Sequence, residues 1–218
     1  MTELRAKEEW VMLKDKFPDF EPIGQHGDRW VTNGRLPIID SGGKCWETYV
    51  VEITLLPTFP ASLPILVETG KKIERSAEWH VNENGSCCVG TEARQHYLLN
   101  GKNTLLNWVQ LLAVPYLANH RLRTLSASYA NGERSHGVKG IREEYEDIFT
   151  NRGDISLQEF MLMTIGNVSL ANNSPCFCGS GKKYKRCFLR DPAVHRKGIP
   201  TKILIKDLNV LNKSGQFK

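Results

Sequence analysis

The chain of 218 residues predicts an α+β fold: an N-terminal helix, a four-stranded antiparallel meander and C-terminal helices, with a small cysteine-rich module appended. Three observations carry that prediction. Ala6, Trp10, Leu13 and Phe17 recur at i, i+4, i+7 and i+11, one stripe of a helix with a 3.6-residue period. The run WETYVVEITLL at 46–56 is aromatic, β-branched and alternating, which is strand chemistry. Near the C-terminus Cys176, Cys178 and Cys187 crowd into twelve residues around Gly-Ser-Gly, a metal-binding type of spacing.

The elements follow in order. The first helix spans about 3–17, with Thr2 as N-cap and Pro18 as stop signal. Strand-like runs follow at about 28–39 and 46–56. The Pro-punctuated turn PTFPASLP leads to a further strand at about 64–69. Residues 79–103 show neither helical period nor clean alternation, and predict a long connection of the kind that carries function. Further helices are expected at 104–118 (Leu105, Trp108, Leu112) and 138–149 (Ile141, Tyr145, Ile148). Ser156 with Glu159 opens another as a capping box. The small, polar stretch 169–175 reads as a linker.

Composition narrows the function classes. A hydrophobic fraction of 40% and a charged fraction of 24% suit a soluble globular protein. No apolar run reaches the roughly 18 residues of a membrane span, so no membrane partner is expected. The charged N-terminal stretch lacks an apolar h-region, predicting no signal peptide and a cytoplasmic protein with reduced thiols. Six cysteines then call for burial, metal or chemistry rather than disulfides. Residues 176–218 carry 11 Lys and Arg against two Asp, which leaves the remainder net negative. That asymmetry fits a module with its own partners, nucleic acid among them, and equally a solvated surface.

Within the long connection, Asn84-Gly85 is a tight-turn signal followed at once by Cys87 and Cys88. Neighbouring side chains on extended backbone point to opposite sides, so one thiol should be buried and the other exposed. A buried cysteine is a small hydrophobe, and an exposed one is a candidate nucleophile. A redox or metal pair is a weaker third reading.

The stretch Thr58-Phe-Pro-Ala-Ser-Leu-Pro-Ile-Leu-Val67 resembles the Tyr-Pro…Pro-Pro-x-Val segment of ubiquitin-conjugating enzymes. His80-Val-Asn82 and Gly85-Ser-Cys-Cys-Val89 resemble their His-Pro-Asn…Gly-x-Ile-Cys-Leu signature. Asn131 to Gly137 and Gly140 to Tyr145 look like the tail of the family's prokaryotic branch. The resemblance covers about residues 3–150. It implies a ubiquitin-conjugating-like fold over 1–150, Cys88 as thioester-forming nucleophile, Cys87 as its buried neighbour, and Asn82 and His80 beside the site. Arg134 and His136 are further residues that could line it. Two features depart from the family pattern: Val81 replaces the Pro, and the loop from Asn82 to Cys88 is two residues shorter. Relatives in bacterial antiphage operons (CBASS) stand beside cGAS-like nucleotidyltransferases. The resemblance thus implies such a nucleotidyltransferase, or the C-terminus of a ubiquitin-like protein, as acyl donor or partner, and a lysine-bearing acceptor.

Cys176-Phe-Cys178-Gly-Ser-Gly-Lys-Lys-Tyr-Lys-Arg-Cys187 resembles the SEC-C zinc motif, which implies structural Zn2+. That motif places its fourth ligand directly after the third cysteine. Here the position is Phe188, which cannot ligate, and His195 is the nearby substitute. The expected organisation is therefore 1–150 conjugating-like, 151–172 helix and linker, and 173–218 zinc module. The alternative function is a catalytically inactive scaffold that binds protein or nucleic acid through the basic module.

Overall fold

Thr2 accepts a hydrogen bond from the Arg5 amide through its side chain and so opens α1, Glu3–Lys16. Ala6 and Leu13 are buried on the expected stripe, and Glu9 is buried with them. The Glu9 carboxylate is paired with Arg5 at 2.6 Å and accepts the Leu105 amide at 2.7 Å. A helix start far along the chain is thereby capped by an acid that periodicity alone would place among polar positions.

The computed structural model describes residues 1–126, 135, 137–150, 155–190 and 195–217. They form two compact units. The first comprises 1–90 and 102–133, the second 91–101 and 134–218. The sequence-read boundaries at 150 and 172 do not coincide with this division.

In the first unit β1 (Gly24–His26), β2 (Arg29–Ile39), β3 (Cys45–Leu55) and β4 (Ile65–Glu68) form one antiparallel sheet in the order β1-β2-β3-β4. The period-2 alternation sends Trp30, Leu36 and Ile38 of β2 and Tyr49, Val51, Ile53 and Leu55 of β3 into the core. Cross-strand pairs such as Leu36 with Tyr49 and Trp30 with Leu55 bring these residues opposite one another. The predicted helix at 104–118 runs further. It begins as α3 (Leu105–Trp108), widens into a π turn over Val109–Ala113, and continues as α4 (Val114–Ser126). The widening has a cause in the sequence. Pro115 has no amide hydrogen to give to the preceding turn, and an i→i+5 turn accommodates it. α4 packs on β2 and β3.

The second unit holds α2 (Glu92–Leu99), α5 (Gly137–Ile148), α6 (Leu157–Thr164), α7 (Thr201–Lys213) and the cysteine cluster. α2 corrects the expectation of a structureless connection over 79–103. Thr91 caps it, and Ala93, His96 and Leu99 are its buried face. A two-turn helix with a histidine among its core positions gives little periodic signal. Ser156 caps α6 as expected, accepting the Glu159 amide at 3.2 Å. An aromatic chain runs through the core, with ring centroids 5.7 Å apart for Tyr145 and Phe149, 5.0 Å for Phe149 and Phe160, and 5.2 Å for Phe160 and Phe177. The stretch read as a linker is tied in place. Leu170 packs on this core, and the Ser174 carbonyl accepts the Tyr184 amide. No helix among the described residues is long and apolar enough to cross a membrane.

Candidate functional site

Two sites are built from the sequence-predicted residues, one in each unit. The first is the turn after β4. Ser86 bridges to Val67, and the Cys87 amide donates to the Leu66 carbonyl at 2.8 Å, so the segment leaves the sheet edge in extended form. Gly85 has φ +84, a conformation that permits the turn from Asn82. Within it the Asn84 carboxamide oxygen accepts from the Ser86 amide and hydroxyl, and the Asn82 amide donates to the Ser86 hydroxyl at 2.9 Å. The two thiols part as the alternation predicts: Cys87 is buried and Cys88 is exposed. Burial pushes the Cys87 thiol up, against a lowering hydrogen bond from Tyr116.

His80 sits behind Cys88 through its main chain. It ends the short 3-10 turn Ala77–Trp79 in the left-handed region, φ +51, and its carbonyl accepts the Cys88 amide at 2.8 Å. The same carbonyl accepts the Tyr116 hydroxyl at 3.1 Å. His120 lies beside this contact, stacked on Trp79 at 5.9 Å and edge-on to Tyr116 at 4.4 Å. Burial, reinforced by the charges of His80 and Arg123, pushes His120 down to about 4. Arg123 covers the Trp79 ring at 4.1 Å and reaches the Glu78 carboxylate at 2.6 Å. Tyr116, His120 and Arg123 are absent from the residues that the sequence singles out. Their spacing of i, i+4 and i+7 on one helix was the available signal. Arg134 and His136 lie outside the described residues.

The second site is the C-terminal cluster. Pro175 pairs with Lys183 in an antiparallel bridge, and the Cys176 amide donates to the Lys182 carbonyl at 2.8 Å. The knuckle between them needs Gly179 and Gly181, which have φ +73 and +71. It draws together Cys176, Cys178, Cys187 and His195, whose ligand atoms all lie within 4.8 Å of one another. Cys178 and Cys187 sulfurs are 3.6 Å apart, and Cys187 Sγ is 3.7 Å from His195 Nε2. A tetrahedral ion with sulfur bonds of about 2.3 Å sets its sulfurs about 3.8 Å apart, so this donor set could hold a metal. Burial raises the Cys176 thiol to about 11. At Cys178 burial is outweighed by hydrogen bonds from Ser180 and the neighbouring thiols, which lower it. Phe188 is buried among aromatic rings, 5.0 Å from Phe177 and stacked on Tyr184 at 5.4 Å. The side chain after the third cysteine thus serves the core, and the histidine arrives seven residues later.

Comparison with known proteins bears on the second site. No solved structure matches this chain. Among curated proteins, the protein translocase subunits SecA of Borreliella burgdorferi strains ZS7 and B31 are each 26% identical over 83 residues, 38% of this chain. The chain spans only 9% of the length of those relatives. Residues 173–187 match the SEC-C motif, so the chain carries a SEC-C motif whose three cysteines, with His195, form a cluster able to hold a metal.

Proposed function

We propose that this protein is a cysteine-dependent acyltransferase with a ubiquitin-conjugating-like fold over residues 1–150. The single observation that carries the reading is the pair of adjacent thiols, Cys87 buried and Cys88 exposed on a turn braced by main-chain hydrogen bonds. The Cys88 thiolate attacks the carbonyl of an activated C-terminus. A carbon–sulfur bond forms and the activating group leaves. An amine of a lysine-bearing acceptor then attacks the thioester, the carbon–nitrogen bond forms, the carbon–sulfur bond breaks, Cys88 departs as the thiolate, and the nitrogen gives its proton to water. The Asn82 amide uses one N–H on Ser86 and has a second with which to meet the oxyanion. His80 acts through its main chain as the support of the Cys88 backbone. The acyl donor in this reading is the C-terminus of a cGAS-like nucleotidyltransferase or of a ubiquitin-like protein, in bacterial antiphage defence. A structural zinc ion held by Cys176, Cys178, Cys187 and His195 stabilises the second unit.

Intact mass after incubation with such a donor, activated as a thioester, tests the reading. The expected result is one added acyl group on the wild type, released by thiol. Cys88→Ser should hold the group as a thiol-resistant ester, and Cys88→Ala should not hold it. An adduct that survives in Cys88→Ala, for instance on exposed Cys45, refutes it.

The exposed Lys182, Lys183, Lys185, Arg186 and Arg190 around the cysteine cluster favour a second reading, a scaffold that binds nucleic acid through this face. Binding to single-stranded RNA that weakens steeply with salt and is lost on reversing these charges, with Cys88→Ser indistinguishable from wild type in cells, would select it.

A further inference from the structure

The Tyr116 hydroxyl meets the backbone that supports the thiol pair. It donates to the His80 carbonyl at 3.1 Å, the same oxygen that accepts the Cys88 amide at 2.8 Å. Tyr116 also acts on the Cys87 thiol, lowering it against the larger effect of burial. One turn further along α4, His120 is wedged against Tyr116 and Trp79. One turn beyond that, Arg123 covers the Trp79 ring and donates to the Glu78 carbonyl at 2.5 Å. Three successive turns of one helix therefore grip three successive residues, Glu78, Trp79 and His80. The last of these is held in the left-handed region, where a residue with a Cβ needs such support. The helix that does this begins directly after the π turn, a feature frequent near functional sites.

We infer that Tyr116 is a positioning residue for the Cys88 thiol: through the His80 carbonyl it fixes the backbone that presents Cys88 and, with it, the extended course that turns the neighbouring Cys87 inward. His120 and Arg123 lock the same segment from the following turns. The inference rests on the reading of Cys88 as the reactive thiol. It adds that the choice between two adjacent cysteines is made by a tyrosine on α4. If the hydroxyl is removed, the His80 carbonyl loses one of its two donors. The segment can then open and exchange which thiol meets solvent.

Iodoacetamide labelling of the full-length protein across a pH series tests this, with peptide-resolved mass spectrometry separating Cys87 from Cys88. In the wild type, Cys88 should label and Cys87 should stay protected. Tyr116→Phe should raise Cys87 labelling by about tenfold and change the Cys88 labelling profile, because a single lost hydrogen bond of this kind shifts an opening equilibrium by about that factor. Ile38→Val, which thins the same core on a strand that does not pair with β4, should lower the melting temperature and leave both labelling profiles unchanged. Should Tyr116→Phe not fold, Arg123→Gln loosens the grip from its outer end and should move both profiles in the same direction by less. Unchanged Cys87 protection and an unchanged Cys88 profile in a folded Tyr116→Phe protein, or in Arg123→Gln where that variant has to serve, overturn the inference. So do two equally reactive thiols in the wild type. The labelling needs no acyl donor, so a chain that carries no acyl group would still report on Tyr116, and the adduct experiment decides that other question separately.

Discussion

Lowering the pH should unfold the first unit from beneath the Cys88 turn. His120 is buried at 2% exposure and held down to about 4, from an ordinary value of 6.5, by burial and by the facing charges of His80 and Arg123. Its folded-state value is depressed, so the folded protein binds fewer protons than the unfolded chain at every pH between the two. Above 6.5 both states are neutral there and nothing is lost. As pH falls towards 4 the unfolded chain takes up a proton that the folded one refuses, and stability drops. A tenfold difference in proton affinity between the two states is worth about 1.4 kcal/mol, so the full loss is about 3 kcal/mol, of which about 2 kcal/mol should appear between about pH 7.5 and about pH 5. All five tryptophans lie in the first unit, so tryptophan fluorescence in urea titrations reads that unit. His96 is also pushed down by burial, in the second unit, and loses stability in the same direction. The informative quantity is therefore the wild type minus His120→Leu, a variant that cannot take up the proton. The wild type should lose about 2 kcal/mol more than the variant over that range. Parallel curves for the two proteins would refute the assignment of a buried, neutral His120.

Chelation of a bound metal should reduce far-UV circular dichroism through the second unit and leave the tryptophan-detected urea midpoint in place, and His195→Ala should lower metal content measured by mass spectrometry under native conditions. Glu9→Ala leaves the Leu105 amide buried without an acceptor and Arg5 with only the more distant Glu8 at 3.8 Å. It should cost about 3 kcal/mol in the tryptophan-detected unfolding free energy, whereas Glu9→Gln, which still accepts at that amide, should cost about 1 kcal/mol. Tyr145→Phe strands the buried Asp207 carboxyl, which accepts the phenol at 2.9 Å and is raised by burial. A loss of about 2 kcal/mol in the second unit is expected by circular dichroism in urea.

What was legible in the sequence is what repeats. The stripe of α1, the alternation of β2 and β3, and the caps Thr2 and Ser156 all have strict periods or fixed offsets, and they emerge within a residue or two of their expected bounds. β1 and α2 are too short to establish a period. Glu9 was hidden because its burial is decided by an amide nearly a hundred residues away. The separation of Cys87 from Cys88 followed from backbone alternation alone. The support beneath them did not, because Tyr116, His120 and Arg123 become partners of Glu78–His80 only once the sheet and α4 have met. The cysteine knuckle was read from spacing. The place of Phe188 in the core depends on its packing against Phe177 and Tyr184, which spacing does not reveal.

The path of the chain between the two units has a practical corollary. The backbone leaves the first unit at residue 90, lends α2 to the second, comes back at 102, and crosses over finally near 134. No single cut therefore yields either half intact. A protein trimmed before residue 173 would retain α2, α5 and α6 with their greasy sides stripped, inviting aggregation instead of a smaller folded protein. The first crossing falls two residues after the thiol at 88.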